Sequence, residues 1–210
     1  MKGLIYKEIS LFFKSFDKKL IIIAAAAVVL LIMNAGDFSG LLATIMFAMT
    51  VGMQNVMSFS SDEQVHWKKY QLTMPVNPLL AVGSKYISVL LTLSLSIGAS
   101  AALYFISGII YHNFDLNLLF ISLMVSIIIP IMWTAVCLPL TYWFGFRSAQ
   151  TMGLLVIIPV FYLIKYFEDG PGLFSLTNTI SIYIIAGFII SILLFLCSCV
   201  ISILGYKQKN

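Results

Sequence analysis

Charged side chains are scarce in this sequence. Asp, Glu, Lys and Arg make up 10% of its 210 residues, whereas 61% of the residues are hydrophobic. Soluble domains typically carry about 25% charged and about 45–50% apolar residues. The scarcity of charge, together with apolar runs that recur along the whole chain, excludes a soluble globular protein. It predicts an integral membrane protein with a single membrane-embedded domain over residues 1–210.

Signatures of chemistry within the membrane are also missing. No acidic residue lies near the middle of an apolar run, and an ion-coupled carrier needs a group that changes charge inside the membrane. The chain has no Walker A pattern G-x-x-x-x-G-K-[ST] and should not cradle ATP phosphates itself. Neither paired aspartates nor a Ser/His arrangement occurs within the runs. We therefore predict no catalytic residue, no metal site and no cofactor bound by this chain.

Cysteine and basic clusters are sparse as well. The three cysteines, Cys137, Cys197 and Cys199, all lie in apolar runs, and their odd number implies no disulfide framework. The formal net charge is +4, but no basic cluster is interleaved with aromatic residues as nucleic-acid binding would require. Nucleic acid is therefore not an expected partner, whereas membrane lipids are.

The apolar runs predict six membrane-spanning segments. We place them at about residues 18–35, 39–59, 86–111, 116–143, 149–167 and 179–205, because about 20 apolar residues cross the hydrocarbon core as a helix. Runs such as Leu20–Met33 are apolar at every position, whereas barrel strands alternate. The predicted fold class is an all-α polytopic membrane protein. Because the first run is short and follows lysines, a secretory signal peptide is the alternative there.

Basic residues predict the orientation of the spans. In the six-span arrangement, all of the 12 basic residues except Lys165 fall on one side of the membrane. Cytoplasmic loops carry an excess of Lys and Arg. Both termini and the long connection after the second span are therefore predicted to be cytoplasmic.

The first 19 residues have an amphipathic pattern. Apolar residues recur at helical spacing, and lysines share another face. The apolar positions are Ile5, Ile9, Phe12, Phe13, Phe16 and Leu20, and the lysines are Lys7, Lys14 and Lys18. The pattern predicts an interfacial helix on the cytoplasmic leaflet over residues 1–19. A membrane anchor with no further role is an equal alternative.

Polar residues inside the predicted spans are mainly hydroxyls. Two stripes stand out, Ser88, Thr92, Ser96 and Ser100 in the third span and Ser191, Ser198 and Ser202 in the sixth. Such stripes are more often helix-packing surfaces than ligand sites, but the first could line a weakly polar pathway. The prolines Pro130, Pro139 and Pro159 predict kinks, which could be hinges or static bends.

Residues 60–85, which we call the elbow, begin with the densest polar stretch of the chain, "SSDEQVHWKKY". Ser60 followed by Glu63 fits a capping box and predicts a short helix that ends before Pro75. Asn77 with Pro78 then predicts the N-cap and first residue of the next helix. Aromatic residues among charges of both signs are typical of a protein interface. The alternative is a solvated connection with Trp67 and Tyr70 as interfacial anchors.

The elbow carries a recognisable order of residues. Asp62, Trp67, Lys69-Tyr70, Met74-Pro75 and Ser84-Lys85-Tyr86 follow one another. With six spans and both ends inside, this order resembles the permease subunits of ABC-2 type ABC transporters, in particular the compact bacterial class. The resemblance covers nearly the whole chain. Met74 stands where a Leu is usual, and "NPL" replaces a Ser/Arg-containing step.

The resemblance implies a role for the elbow. In that family it is a coupling helix that docks on a separate ABC ATPase subunit, which would bind ATP and Mg. The implied coupling residues are Asp62, Glu63, Trp67, Lys68, Tyr70, Met74, Pro75 and Lys85, with Arg147 in the second cytoplasmic loop. The pathway candidates are Ser88, Thr92, Ser96 and Ser100.

The resemblance also implies an assembly and a location. Two permease copies, identical or related, would form an exporter in the cell membrane of a bacterium, with amphipathic antimicrobial peptides or toxins as the expected cargo. Two alternatives from other classes are a non-transporting membrane partner or immunity subunit, and a self-contained ion-coupled carrier or channel.

Overall fold

A computed structural model of the chain describes residues 2–15, 18–34, 39–65, 67, 77–112, 114–149, 151 and 177–208. Its elements are α1 (Lys2–Ser15), α2 (Lys18–Asn34), α3 (Ser39–Gln64), α4 (Pro78–Tyr111), α5 (Leu116–Phe144) and α6 (Thr177–Gln208). A short helical turn at residues 146–149 lies directly after α5. Over the described residues the prediction of an all-helical fold is confirmed.

Among the described residues, four helices are long and apolar enough to cross a membrane. They are Ser39–Gln64, Leu79–Tyr111, Leu116–Phe144 and Ile184–Tyr206. Their outer faces carry exposed large apolar side chains, as on α6 at Ile189, Leu193 and Leu196. These helices correspond to the second, third, fourth and sixth predicted spans. The first predicted span matches α2, which has only 17 residues. Most of the fifth predicted span, including Pro159, lies outside the described residues. The full count of six spans stays a prediction.

The helix starts follow from local chemistry. Asn77 has an extended backbone, with φ −61° and ψ 134°, and its side-chain oxygen accepts a hydrogen bond of 3.1 Å from the Leu79 amide. Pro78 takes the first helical position. The predicted start of this helix is therefore confirmed. Asp115 caps α5 in the same way, through a 2.9 Å bond from the Asn117 amide.

The capping box predicted at Ser60 and Glu63 is wrong. α3 runs without interruption through both residues to Gln64, so no separate helix begins there. Because Ser60 lies inside α3, its amide is bonded to a carbonyl of the preceding turn and needs no cap. The Glu63 carboxylate accepts a hydrogen bond from the Phe146 backbone amide. α4 begins at Pro78 and continues past Lys85 into the third predicted span, as the sequence predicted.

The helices pack around α5. It contacts α6 and α3 most extensively, α3 also packs on α4, and α1 lies against both α3 and α4. Pro130 and Pro139 are both within α5, which continues past them. Gly52 on α3 lies so close to α5 that a Cβ atom there would be 3.3 Å from Pro130 Cα. Small residues at such contacts allow helix backbones to approach closely.

The ends of α3 and α5 and the start of α4 meet at one end of the bundle, which we call the charged end. Phe59, near the end of α3, packs edge-on against Tyr142 on α5. Tyr142 in turn contacts Tyr206, near the end of α6. At the opposite end, the Tyr111 hydroxyl of α4 donates to the Ile32 carbonyl of α2. α1 also lies at the charged end, so the described beginning and end of the chain share one end of the bundle.

Candidate functional site

Four ionised side chains form a closed cluster at the charged end. Lys85 Nζ lies 3.0 Å from Glu8 Oε2 and 3.0 Å from Asp62 Oδ2. Lys7 Nζ binds Asp62 Oδ1 and lies 3.4 Å from Glu8 Oε1. Positive and negative groups therefore alternate around a ring whose formal charges cancel. We call Lys7, Glu8, Asp62 and Lys85 the charge ring.

The charge ring is largely shielded from solvent. The side chains of Glu8, Lys85 and Asp62 are 5%, 9% and 12% exposed, and that of Lys7 is 23% exposed. Lys85 also donates a 3.3 Å hydrogen bond to Ser58 Oγ. Buried charges are tolerated when each has partners of opposite sign, and removing one partner leaves an uncompensated charge. Each member of the ring has two such partners.

Aromatic rings cover both ammonium groups. Lys85 Nζ lies 3.9 Å from the centroid of the Phe59 ring, and Lys7 Nζ lies 4.2 Å from that of Trp67. A cation is attracted to the face of an aromatic ring, most strongly to Trp. Trp67 is half-buried. This Trp, which the sequence suggested as an interface residue, therefore has a contact within its own chain.

The ring joins three elements that are far apart in sequence. Lys7 and Glu8 lie on α1, Asp62 lies on the last turn of α3, and Lys85 lies seven residues after the start of α4. On α3, Ser58 and Asp62 are four residues apart and share a helix face. Both therefore reach Lys85 from the same side.

Sequence reasoning missed the contribution of α1 to this site. Lys7 and Glu8 were not among the predicted site residues. One signal could have pointed to Glu8, because it is the only acidic residue in α1 and lies one helical turn before Phe12. Phe12 belongs to the apolar face and is buried. A carboxylate beside that face, instead of among the lysines, indicates a buried cationic partner.

A second contact connects the elbow to the segment that follows α5. Glu63 Oε1 accepts a 2.7 Å hydrogen bond from the backbone amide of Phe146. Gly145 precedes it with φ +90°, in the region that glycine adopts without a steric penalty. A Cβ atom at Gly145 would lie 3.3 Å from Glu63 Oε1. The glycine therefore provides both the backbone geometry and the space that this contact requires.

The predicted coupling residues are distributed over these contacts. Asp62 and Lys85 belong to the charge ring, Glu63 binds Phe146, and Trp67 lies beneath Lys7. Arg147 lies on the short helical turn and is exposed. Four further predicted residues, Lys68, Tyr70, Met74 and Pro75, lie outside the described residues.

The predicted pathway residues are all buried where α4 packs on its neighbours. Ser96 Oγ donates a 2.9 Å bond to the Ser126 carbonyl on α5, and Thr92 Oγ1 lies 2.9 Å from Asn55 Oδ1 on α3. Ser88 and Ser100 donate to carbonyls of α4 itself, those of Lys85 and Ile97. The stripe thus lies within helix contacts in this structure.

The second hydroxyl stripe has a different partner. Tyr86 on α4 places its hydroxyl 2.7 Å from Ser198 Oγ and 2.8 Å from Ser202 Oγ, both on α6. The Tyr86 ring also packs edge-on against Phe195. Ser191 donates to the Phe188 carbonyl of its own helix. Two of the three serines in this stripe therefore connect α6 to α4.

Asn55 is an incompletely paired amide in this region. It is buried on α3, and within the described part of the chain its Nδ2 has no hydrogen-bond partner. The single hydroxyl hydrogen of Thr92 can serve either Asn55 Oδ1 or the Val89 carbonyl, 2.8 Å away, but not both. A reversed amide would let Nδ2 donate to Thr92 while Thr92 donates to Val89. Either orientation leaves part of the amide without a partner among these residues.

The site is built to hold helices together and has no metal-binding geometry in the described ranges. No group of three or more His, Cys, Asp or Glu side chains in the described part of the chain could hold a metal ion. The polar groups of the charged end are instead opposite charges from separate elements. Movement of any one of these elements must therefore disturb the others.

Comparison with known proteins adds one finding. A family model described as "ABC-2 family transporter protein" matches residues 3–207. No curated protein and no solved structure shows a significant match to the chain. The matched range includes the charge ring, the contact between Glu63 and Phe146, and the four described helices that are long and apolar enough to cross a membrane.

Proposed function

The chain belongs to the ABC-2 transporter family, and on this basis we propose that it is the permease subunit of an ATP-driven exporter, docked through its charged end on a separate ATPase subunit. Permeases of this family are membrane transport subunits and not themselves catalytic. The family implies an ABC ATPase as partner. ATP and Mg would be bound there, which agrees with the missing Walker A pattern.

The hydrogen bond from Phe146 to Glu63 supports the docking proposal most strongly. It joins the beginning of the elbow to the segment after α5, although the two residues are 83 positions apart. A partner that contacts both segments therefore meets one preorganised surface, and preorganisation lowers the entropic cost of binding. Exposed Arg147 lies on this surface.

The arrangement of the helices supports the proposed topology. α5 and α6 both end at the charged end, as the Tyr142 and Tyr206 contact indicates. α5 and α6 therefore run in the same direction, which agrees with the prediction of a fifth span between them. With the basic residues inside, the charged end and both termini face the cytoplasm of a bacterial cell.

The proposed mechanism transmits motion from the ATPase into the bundle. Closure of the ATPase dimer would displace the elbow together with residues 145–149. α3 ends and α4 begins in the elbow, and α5 ends just before residues 145–149, so the displacement would be transmitted to all three helices. Two permease copies, identical or related, would then alternate between inward-open and outward-open arrangements. Amphipathic peptides are the proposed cargo, since the interior offers hydroxyl and aromatic side chains.

Purification from native membranes tests the proposal. We expect the tagged chain to copurify with an ABC ATPase, the complex to hydrolyse ATP, and the chain alone to show no ATP turnover. Mass spectrometry of culture medium should show that amphipathic peptides are lost from the exterior when the gene is deleted and return on complementation. Absence of an ATPase from the purified material under several mild detergents would contradict the docking proposal. An unchanged peptide profile would contradict the proposed cargo alone.

A further inference from the structure

We propose that α1 is part of the machinery that couples ATP hydrolysis to transport, and that Lys85 is the positioning residue that holds it to the elbow. This inference rests on the proposed function and assigns it an additional element. The sequence leaves α1 open between a plain membrane anchor and a helix with a further role. The charge ring favours the second.

A plain anchor does not require the buried contacts that α1 makes. An interfacial helix needs only an apolar face toward the lipid and a polar face toward water. Glu8 instead has a side chain that is 5% exposed, and it lies 3.0 Å from Lys85 on another helix. Phe12, one turn later, is buried as well. One side of α1 is therefore committed to protein contacts at the charged end.

The charge ring joins its three elements pairwise. Lys7 and Asp62 connect α1 with α3, Glu8 and Lys85 connect α1 with α4, and Asp62 and Lys85 connect α3 with α4. The elbow runs from the end of α3 to the start of α4. Both of its ends are therefore attached to α1, so a displacement of the elbow must either carry α1 along or separate buried charges.

Charge balance makes joint movement the easier alternative. The two lysines and the two carboxylates cancel, so the ring can move as a unit without exposing a net charge to a poorly solvated environment. Opening the ring would leave buried ions without partners, which is strongly unfavourable. We therefore expect the elbow and α1 to move together. Because α2 begins only three residues after α1 ends, the movement would reach α2 as well.

The attachment of α1 can be tested on the chain alone in lipid nanodiscs. Lys85→Met removes the shared cation, so that only Lys7 and Asp62 still connect α1 to the bundle through the ring. Hydrogen exchange of backbone amides over residues 2–15 should therefore accelerate by about tenfold. Lys85→Arg keeps the charge and should restore most of the protection. Lys14→Met is the matched control, since Lys14 is an exposed lysine on the same helix. Glu8→Gln should also accelerate exchange, and it decides the outcome if Lys85→Met does not fold.

The role in coupling is tested on the complex with its copurified ATPase. Exchange is compared without nucleotide and after trapping with MgATP and vanadate. In the unmodified complex, protection of residues 2–15 and of residues 145–149 should both change on trapping. With Lys85→Met, residues 145–149 should still respond while residues 2–15 no longer do. If Lys85 served only the overall stability of the fold, Lys85→Met would change the response of both segments, and not that of residues 2–15 alone.

Each outcome bears on the inference separately. If hydrogen exchange over residues 2–15 is the same in the Lys85→Met and Glu8→Gln variants as in Lys14→Met, the ring does not hold α1. The inference is then wrong, while the proposed function stands. If α1 of the unmodified complex shows no response to trapping, α1 is only an attached anchor and the inference is also wrong. If no ATPase copurifies, the proposed function fails first, and the inference fails with it.

Discussion

The charged end and the interior of the bundle satisfy their polar groups in different ways. At the charged end, the side chains of α1, α3 and α4 pair with one another across elements. In the interior, many hydroxyls donate to carbonyls of their own helix, as Ser100 does to Ile97, Ser126 to Leu123 and Ser191 to Phe188. Own-helix bonds do not break when helices shift relative to one another, whereas bonds between elements do.

This difference suggests where the molecule is stiff and where it can rearrange. The charge ring resists separation of its three elements because each lost contact leaves a buried ion. The α3, α4 and α5 contacts in the interior depend mainly on shape, with the cross-helix bonds of Thr92 and Ser96 as exceptions. A transporter of this kind would move its charged end as one body and change helix packing deeper in the bundle.

The largest expected effect comes from removing the central charge of the ring. Lys85→Met should destabilise the chain by about 3 kcal/mol, at the lower end of the range for a broken buried pair, because Lys7 remains beside both carboxylates. Thermal unfolding in detergent measures this. Lys14→Met, which changes an exposed lysine of α1, should shift the midpoint very little. Equal shifts for the two variants would mean that the ring contributes no more than a surface charge.

The ring also shows what sequence reasoning can and cannot reach. The start of α4 was predictable because Asn77, Pro78 and Leu79 are adjacent and the cap is a local structure. The partner of Glu63 was not predictable, because it is a backbone amide 83 residues away. Glu8 likewise depends on Lys85, 77 residues later. Family resemblance predicts a coupling role for the elbow, but only the folded chain shows which elbow residues contact other helices of the same chain.

A bulky side chain at the closest interior contact should have the next largest effect. Gly52→Leu would push against Pro130 and Trp133, whose atoms lie 3.2–3.3 Å from the position of an added Cβ. Overpacking of this kind costs about 1–3 kcal/mol. Gly98→Leu is the matched control, because nothing lies within 4 Å of its added Cβ. Comparable melting temperatures for the two variants would mean that α3 and α5 are not in close contact there.

The contact between Glu63 and Phe146 should contribute less, because Glu63 is exposed. Glu63→Ala should cost about 1 kcal/mol, below the range for a buried bond to a charged acceptor. It should also increase hydrogen exchange at residues 145–149. Glu63→Gln retains an acceptor oxygen and should behave closer to the unmodified chain. If the alanine variant leaves exchange at residues 145–149 unchanged, the two segments are not joined in solution.

The smallest effects are expected from the interior hydroxyls, and their order tests the comparison most finely. Ser100→Ala removes only an own-helix bond and should change stability by a few tenths of a kcal/mol. Thr92→Val should cost more, about 1 kcal/mol, because it removes the hydrogen-bond partner of the buried Asn55 amide. Asn55→Leu combined with Thr92→Val replaces both partners by apolar groups of similar shape and should recover most of that loss.

Thermal unfolding of these three variants gives the order of their stabilities. Export of the proposed peptide cargo, measured in parallel, tests whether these residues have a role in transport. If the stripe is only a packing surface, export should follow stability in all three variants. If Thr92 and Ser100 line the pathway, Ser100→Ala should impair export although its melting temperature is unchanged. The opposite stability order, with Ser100→Ala costing more than Thr92→Val, would contradict the view that interior hydroxyls are satisfied mainly within their own helices.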